Sequence, residues 1–263
     1  MKNPLTILFV IVFFLEIKAQ HYTHDIGGFV GSTSLQTDYG ERNHFGSELN
    51  NQGMSFSVAY YLSFYNRTLR WDPNNVLHNH LMVKTNLQYL SKTKMQHHGI
   101  YASKQSYAGE QLRSMKGTVR MMNVGVHLEY FLRPLEEFVY PYSDIFFNPF
   151  FTFGFQYSFF NNTATSDLGD WQNDITVFPK KYQNNGHVEV GANESFVFSI
   201  GLGSRFKLTE KLDLAAQFNY QYFFSDKVDG LQAAVIENKN NEWALNIQVG
   251  LVYHLNFSLP LFY

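Results

Sequence analysis

WALNIQVGLVYHLNF, residues 243–257, decides the fold. Every odd position is apolar: Trp243, Leu245, Ile247, Val249, Leu251, Tyr253, Leu255 and Phe257. The even positions are mostly small or polar: Ala244, Asn246, Gln248, Gly250, Val252, His254 and Asn256. A period of two places one set of side chains on each face of an extended strand, whereas a helix would repeat every 3.6 residues. The run is more than twice the usual globular strand of about five or six residues. It matches a strand that crosses a bilayer, about nine to eleven residues plus an overhang. The last residue, Tyr263, is aromatic, as expected of an outer-membrane strand.

Seven further period-two stretches precede it. The clearest are Met54 to Phe64, Leu81 to Tyr89, Met122 to Tyr130, Phe151 to Phe159, Phe196 to Lys207 and Leu214 to Tyr222. The first, Tyr22 to Ser34, carries three glycines and its facing is poorly defined. Eight strands in a row predict an eight-stranded antiparallel transmembrane up-and-down β-barrel, all-β, because closure leaves no unpaired edge in lipid. Segments 35–52, 93–118, 161–193 and 225–242 are long and polar, and they fall at every second connection, where external loops belong. Residues 209–212 form a tight inner turn, whereas the inner connections 66–79 and 133–148 are longer than such a barrel needs.

Alternation also fits a soluble barrel with its apolar face inside. Three features favour the membrane form. The polar face is rich in small residues such as Ser55, Ser57, Gly125, Gly154 and Gly201, which suit a narrow lumen. The apolar face carries a Phe or Tyr on nearly every strand, too bulky for that interior. The loops also differ in length between the two ends. Composition agrees: 17% of residues are aromatic, as lipid-facing bands and interfacial girdles require, and the mean hydropathy of −0.24 is the average of alternating faces.

The N-terminus reads as an export signal over residues 1–19. Lys2 precedes an apolar core from Leu5 to Leu15, and Ala19 stands before a cleavage point; the barrel is expected over 20–263. The chain has no Cys, which excludes disulfides and thiolate metal sites. A net charge of −2 without a basic run argues against nucleic acid as a partner. Outer-membrane lipid is the expected surrounding, and the outer membrane of a Gram-negative bacterium the expected location.

Inward parity places Lys84, Glu129, Arg205, Lys207 and His254 near the inner end of the lumen. Glu129 paired with Arg205 or Lys84 would close the interior with buried charge-assisted contacts. The same groups could instead form a proton-linked gate or a catalytic Glu–His pair. Removing Glu129 is expected to lower the melting temperature without creating conductance. His78 with His80, and His97 with His98, lack the further ligands of a zinc site and read as solvated histidines. No cofactor or metal is expected. Ser32, Ser34 and His44 lie at an outer rim, but no Gly-x-Ser-x-Gly or phosphate-binding glycine loop is present.

His24-Asp25-Ile26-Gly27-x-Phe29-Val30-Gly31 followed by Asp38-Tyr39-Gly40 resembles the opening of the PorG-like barrels of Bacteroidetes. So do Glu129-Tyr130-Phe131, Asn148-Pro149-Phe150 before an aromatic strand with Gly154, and Phe224-Ser225-Asp226 with Asp229. The resemblance implies an outer-membrane component of the type IX secretion machinery, linked to gliding, that contacts periplasmic ring proteins without catalysing a reaction. The inner connections would supply the contact, through Arg67, Arg70, Trp71 and Asp72 in one and Arg133, Glu136, Glu137, Tyr140 and Tyr142 in the other. The loop Asn161 to Asn193 is longer than the family pattern. A minor porin, a surface adhesin and a lipid-modifying barrel enzyme remain alternative functions on the same fold.

Overall fold

The structure is a computed structural model, and it describes residues 23–39, 51–64, 76–135, 138, 145–233 and 241–255. The signal segment and Arg67, Arg70, Trp71, Asp72, Glu136, Glu137, Tyr140 and Tyr142 lie outside the described residues, as do His44 and the side chain of His78.

Eight antiparallel strands pair in chain order and close on themselves: β1 (Thr23–Gln36), β2 (Gln52–Ser63), β3 (Leu81–Gln96), β4 (Met115–Phe131), β5 (Phe147–Ser166), β6 (Gly191–Lys207), β7 (Leu212–Phe223) and β8 (Trp243–Leu255). The first and last strands pair from His24↔Leu255 to Gln36↔Trp243, so no edge is left open. Two short helices sit in connections, α1 (Val76–His80) before β3 and α2 (Tyr107–Ser114) before β4. No helix among the described residues is long and apolar enough to cross a membrane.

The odd residues of WALNIQVGLVYHL face outward, and Ala244, Asn246, Gln248 and Val252 are buried inside. The other strands agree. On β4, Met122, Val124, Val126, Leu128 and Tyr130 are exposed, whereas Asn123, His127 and Glu129 are buried. Val126 is 54% exposed and Phe155 55%, values that water would penalise and lipid would not. The outward apolar run of β4 covers nine residues, enough for a tilted strand to cross the hydrocarbon. A closed barrel with an apolar exterior and a polar interior is an outer-membrane barrel, because lipid can solvate only its outside.

The strands run further outward than the sequence pattern suggests. β3 continues to Gln96, β4 starts at Met115, and β5 and β6 run to Ser166 and from Gly191. Expected loops 93–118 and 161–193 therefore shrink to 97–114 and 167–190. The outward residues of these extensions, such as Thr118, Asn161, Thr163 and Thr165, stand above the apolar band in water, so their composition reads as loop while their backbone stays paired. The tight inner turn is residues 208–211, closed by Leu208 and Thr209 amides donating to the Leu212 carbonyl.

Candidate functional site in the barrel lumen

The inner end of the lumen holds six interlocked charges. Arg205 on β6 donates through Nη1 to Asp25 Oδ2 at 3.0 Å, and its Nη2 lies 3.7 Å from Glu129 Oε2. Lys84 Nζ on β3 lies 3.3 Å from Glu129 Oε1 and donates to Gln217 Oε1 at 2.6 Å. His254 on β8 lies between two carboxylates, with Nδ1 2.8 Å from Asp25 Oδ1 and Nε2 3.0 Å from Asp213 Oδ2. Two ring nitrogens facing carboxylates suit an imidazolium, which donates from both. Three cations then balance three carboxylates, which a buried cluster requires if no charge is to be left uncompensated. The Glu129 contacts rest on charge alone, since neither of its oxygens accepts a hydrogen bond.

Aromatic rings fill the space around the charges. The Arg205 guanidinium lies 4.4 Å from the Tyr61 ring centre and 5.3 Å from that of Phe131, and Lys84 Nζ 5.4 Å from that of Phe29. Ring faces stabilise desolvated cations. The glycines opposite make room: a Cβ on Gly250 would come within 2.5 Å of the Phe29 ring, and one on Gly203 within 2.4 Å of Phe150. Phe29, Tyr61, Phe131, Leu135 and Phe150 form one buried apolar cluster with Met82.

Four of the five lumen charges expected from the sequence therefore meet: Lys84, Glu129, Arg205 and His254. Lys207 does not enter the buried cluster; it is partly exposed beside the Phe138 ring, 5.4 Å from its centre. It stands two residues beyond Arg205, at the end of β6. Asp25 and Asp213 were not expected, although both face inward and supply two of the three carboxylates of the cluster. Arg133 is exposed, and its backbone is bracketed by Asn148, which accepts from its amide and donates to its carbonyl, both at 3.1 Å.

Above the charges the lumen is crossed by amide and hydroxyl groups. Gln221 donates to Gln88 at 2.8 Å, joining β7 to β3, the same pair of strands that Lys84 and Gln217 join. Gln248 on β8 accepts from Ser57 on β2 at 3.0 Å and from Gln217 at 2.8 Å. Asn246 donates to Thr33 and Ser55. Strands β3 and β7 lie on opposite sides of the barrel, so these bonds span its bore.

The outer mouth is closed by apolar packing. Val177, Phe178 and Tyr182 from loop 167–190 and Val228, Leu231 and Ala233 from loop 224–242 bury themselves among Leu35, Tyr39, Met95, Met115, Val119 and Phe223. Gln111 of α2 donates to the carbonyls of Thr176 and Phe178, and Asn162 of β5 donates to that of Lys227. His97, expected in solvent, is instead buried between the Tyr39 and Tyr182 rings, with centroids 5.0 and 6.4 Å away. Burial pushes its pKa down to about 3, so it is neutral. His80 stacks on Tyr130 and its Nδ1 lies 2.7 Å from the Phe131 carbonyl oxygen, so it too has local partners. At this mouth, burial raises the carboxyl of Asp226 to about 6 and of Asp229 to about 7, and that of Glu242 well above its usual value. Among the described residues no group of three His, Cys, Asp or Glu side chains is placed to hold a metal.

No protein-family model and no curated protein matches the chain. Solved structures of similar fold include Ail, the attachment invasion locus protein of Yersinia pestis, in complex with the heparin analogue sucrose octasulfate, at 10% identity and TM-score 0.45 over 90% of this chain and 100% of that one. A major outer membrane protein from Thermus thermophilus aligns at 12% identity and TM-score 0.48, over 89% and 99% of the two chains. The outer membrane enzyme PagL aligns at 11% identity and TM-score 0.37, over 87% and 98%.

Proposed function

We propose that this chain is a non-conducting outer-membrane barrel that serves as a scaffold or accessory subunit of an envelope machine, without catalytic activity. The observation that carries this reading is the filled lumen: a charged cluster, a cross-lumen amide network and an apolar cap succeed one another along the bore. A porin needs an aqueous path through that space. The charged groups also face one another rather than a rim or cleft open to substrate. The resemblance to PorG-like barrels supports type IX secretion or gliding as the machine, with periplasmic ring proteins docking on segments 66–79 and 133–148. Photo-crosslinkers at Trp71 and Tyr140 in living cells test it. Capture of one or two defined periplasmic proteins is expected; no specific capture by a correctly folded protein overturns the docking role.

A surface-binding role has one observation in its favour. Ile100, Tyr101 and Tyr107 on the loop between β3 and β4 are each about two-thirds exposed, at 65%, 64% and 64%. Exposed aromatic residues of this kind anchor contacts. Trimming residues 99–107 abolishes cell or matrix binding under that reading and leaves it unchanged under the scaffold reading.

A further inference from the structure

On β3 to β6 the outward apolar band ends at one level. Tyr89 pairs with Met122, Met122 with Phe159, and Phe159 with Glu194. Directly above this row on β3 and β4 stand Lys92, Lys94 and Arg120, all exposed. A β-bulge brings them together. Leu90 pairs with Met121 and Thr93 with Val119, so Ser91 and Lys92 together oppose Arg120. A bulge re-aims side chains, and this one turns Lys92 to the same outer face as Arg120. Neighbouring Lys116 is already ion-paired with Asp167 at 2.5 Å. Lys92, Lys94 and Arg120 form no such pair among the described residues. At the outer ends of β1, β2, β7 and β8 the paired residues Ser34 and Gln52, and Tyr222 and Trp243, carry no charge.

A hollow of about 590 Å³ opens beside Arg120, against the outer wall. Tyr89, Met122 and Phe159 line its apolar floor, and Arg120, Asn161 and Glu194 its polar rim. We propose that this wall binds a phosphorylated glycolipid of the outer leaflet, with its phosphate on Arg120, Lys92 and Lys94, a sugar hydroxyl against Asn161 or Glu194, and acyl chains over Tyr89 and Met122. That combination of chemistries matches the wall. The cations lie where lipid headgroups begin, the guanidinium suits a phosphate, and the surface below is apolar. A soluble anion would leave the floor of the hollow uncovered. The inference rests on the barrel and its position in the membrane, not on the scaffold role.

The test uses the full folded chain in detergent micelles, titrated with lipid A and with the same lipid after removal of its phosphates, followed by native mass spectrometry. A surface cation contributes a factor of about five to binding an anionic lipid. The triple variant Lys92→Gln/Lys94→Gln/Arg120→Gln is therefore expected to weaken lipid A binding about a hundredfold, and Arg120→Gln alone about fivefold. Lys211→Gln at the inner turn leaves it unchanged. Dephosphorylated lipid A binds the wild type as weakly as lipid A binds the triple variant. Retained affinity in the folded variants, or equal binding of the two lipids, overturns the proposal. Should the triple variant fail to fold, Arg120→Gln and the dephosphorylated lipid decide it.

Discussion

Replacing Glu129 with Gln removes one carboxylate from the balanced cluster while keeping its shape. Glu129 is fully buried, 3.3 Å from Lys84 and 3.7 Å from Arg205. Arg205 keeps Asp25 at 3.0 Å, but Lys84 retains no carboxylate, only Gln217 and the Phe29 and Tyr61 rings. Removing one partner of a buried pair costs about 3–5 kcal/mol, mostly because the other charge stays buried. The Glu129 contacts are long and lack hydrogen bonds, which puts Glu129→Gln near the low end, about 3 kcal/mol. For a chain of this size that lowers the melting temperature by about 6–12 °C. Adding Lys84→Met removes the stranded charge, so the double variant is expected to recover to within about 1 kcal/mol of the wild type. Denaturant unfolding in lipid vesicles, followed by tryptophan fluorescence, measures both. A single-variant loss below about 1 kcal/mol, or costs that simply add in the double variant, would refute the account of the cluster.

The outer cap responds to crowding and to pH. A Cβ on Gly117 would lie 2.6 Å from the buried Tyr39 ring, so Gly117→Ala is expected to cost about 1–3 kcal/mol alone and little in a Tyr39→Leu background, read by proteolysis of the outer loops. Asp226 and Asp229 ionise near 6 and 7 when buried but near 3.8 when residues 225–233 are released. Their raised folded pKa values mean that the docked loop holds the extra protons, so docking is strongest below about pH 4 and weakens as pH rises toward about 7. Hydrogen exchange of residues 225–233, corrected for intrinsic rates, should accelerate from pH 5 to pH 8, and Asp229→Asn should flatten the change; a pH-independent rate in the wild type refutes it. Glu242→Gln is expected to stabilise the cap at alkaline pH, because burial disfavours the ionised carboxyl that Gln replaces with a neutral amide; unchanged exchange of residues 225–233 at pH 8 refutes it.

The barrel was legible because lipid imposes a single rule on every strand, and Trp243, Leu245, Ile247 and Val249 state it without exception. Facing on β1 was not, since Gly27, Gly28 and Gly31 erase the pattern, and Asp25 went unread for that reason although it shares a parity with Gly27 and Phe29. Inward parity on β7 is the signal for Asp213; the residue stands second in the strand, next to a turn, and reads as part of it. Lys207 illustrates the converse: its parity is right and it pairs across the strands with Asp213, but it stands at the end of β6, where its side chain stays partly exposed. The closure of the mouth was hidden altogether. It joins Tyr39, His97 and Tyr182, residues far apart in sequence whose loops carry no periodicity, and a loop histidine looks solvated until the loop that covers it is seen.

Single-channel recording of the full folded chain in a planar bilayer tests most directly whether the bore is closed. The filled lumen predicts a flat trace at moderate voltage, in the wild type and in Glu129→Gln alike. A steady, reproducible ohmic conductance from the wild-type barrel would contradict it and make the chain a channel.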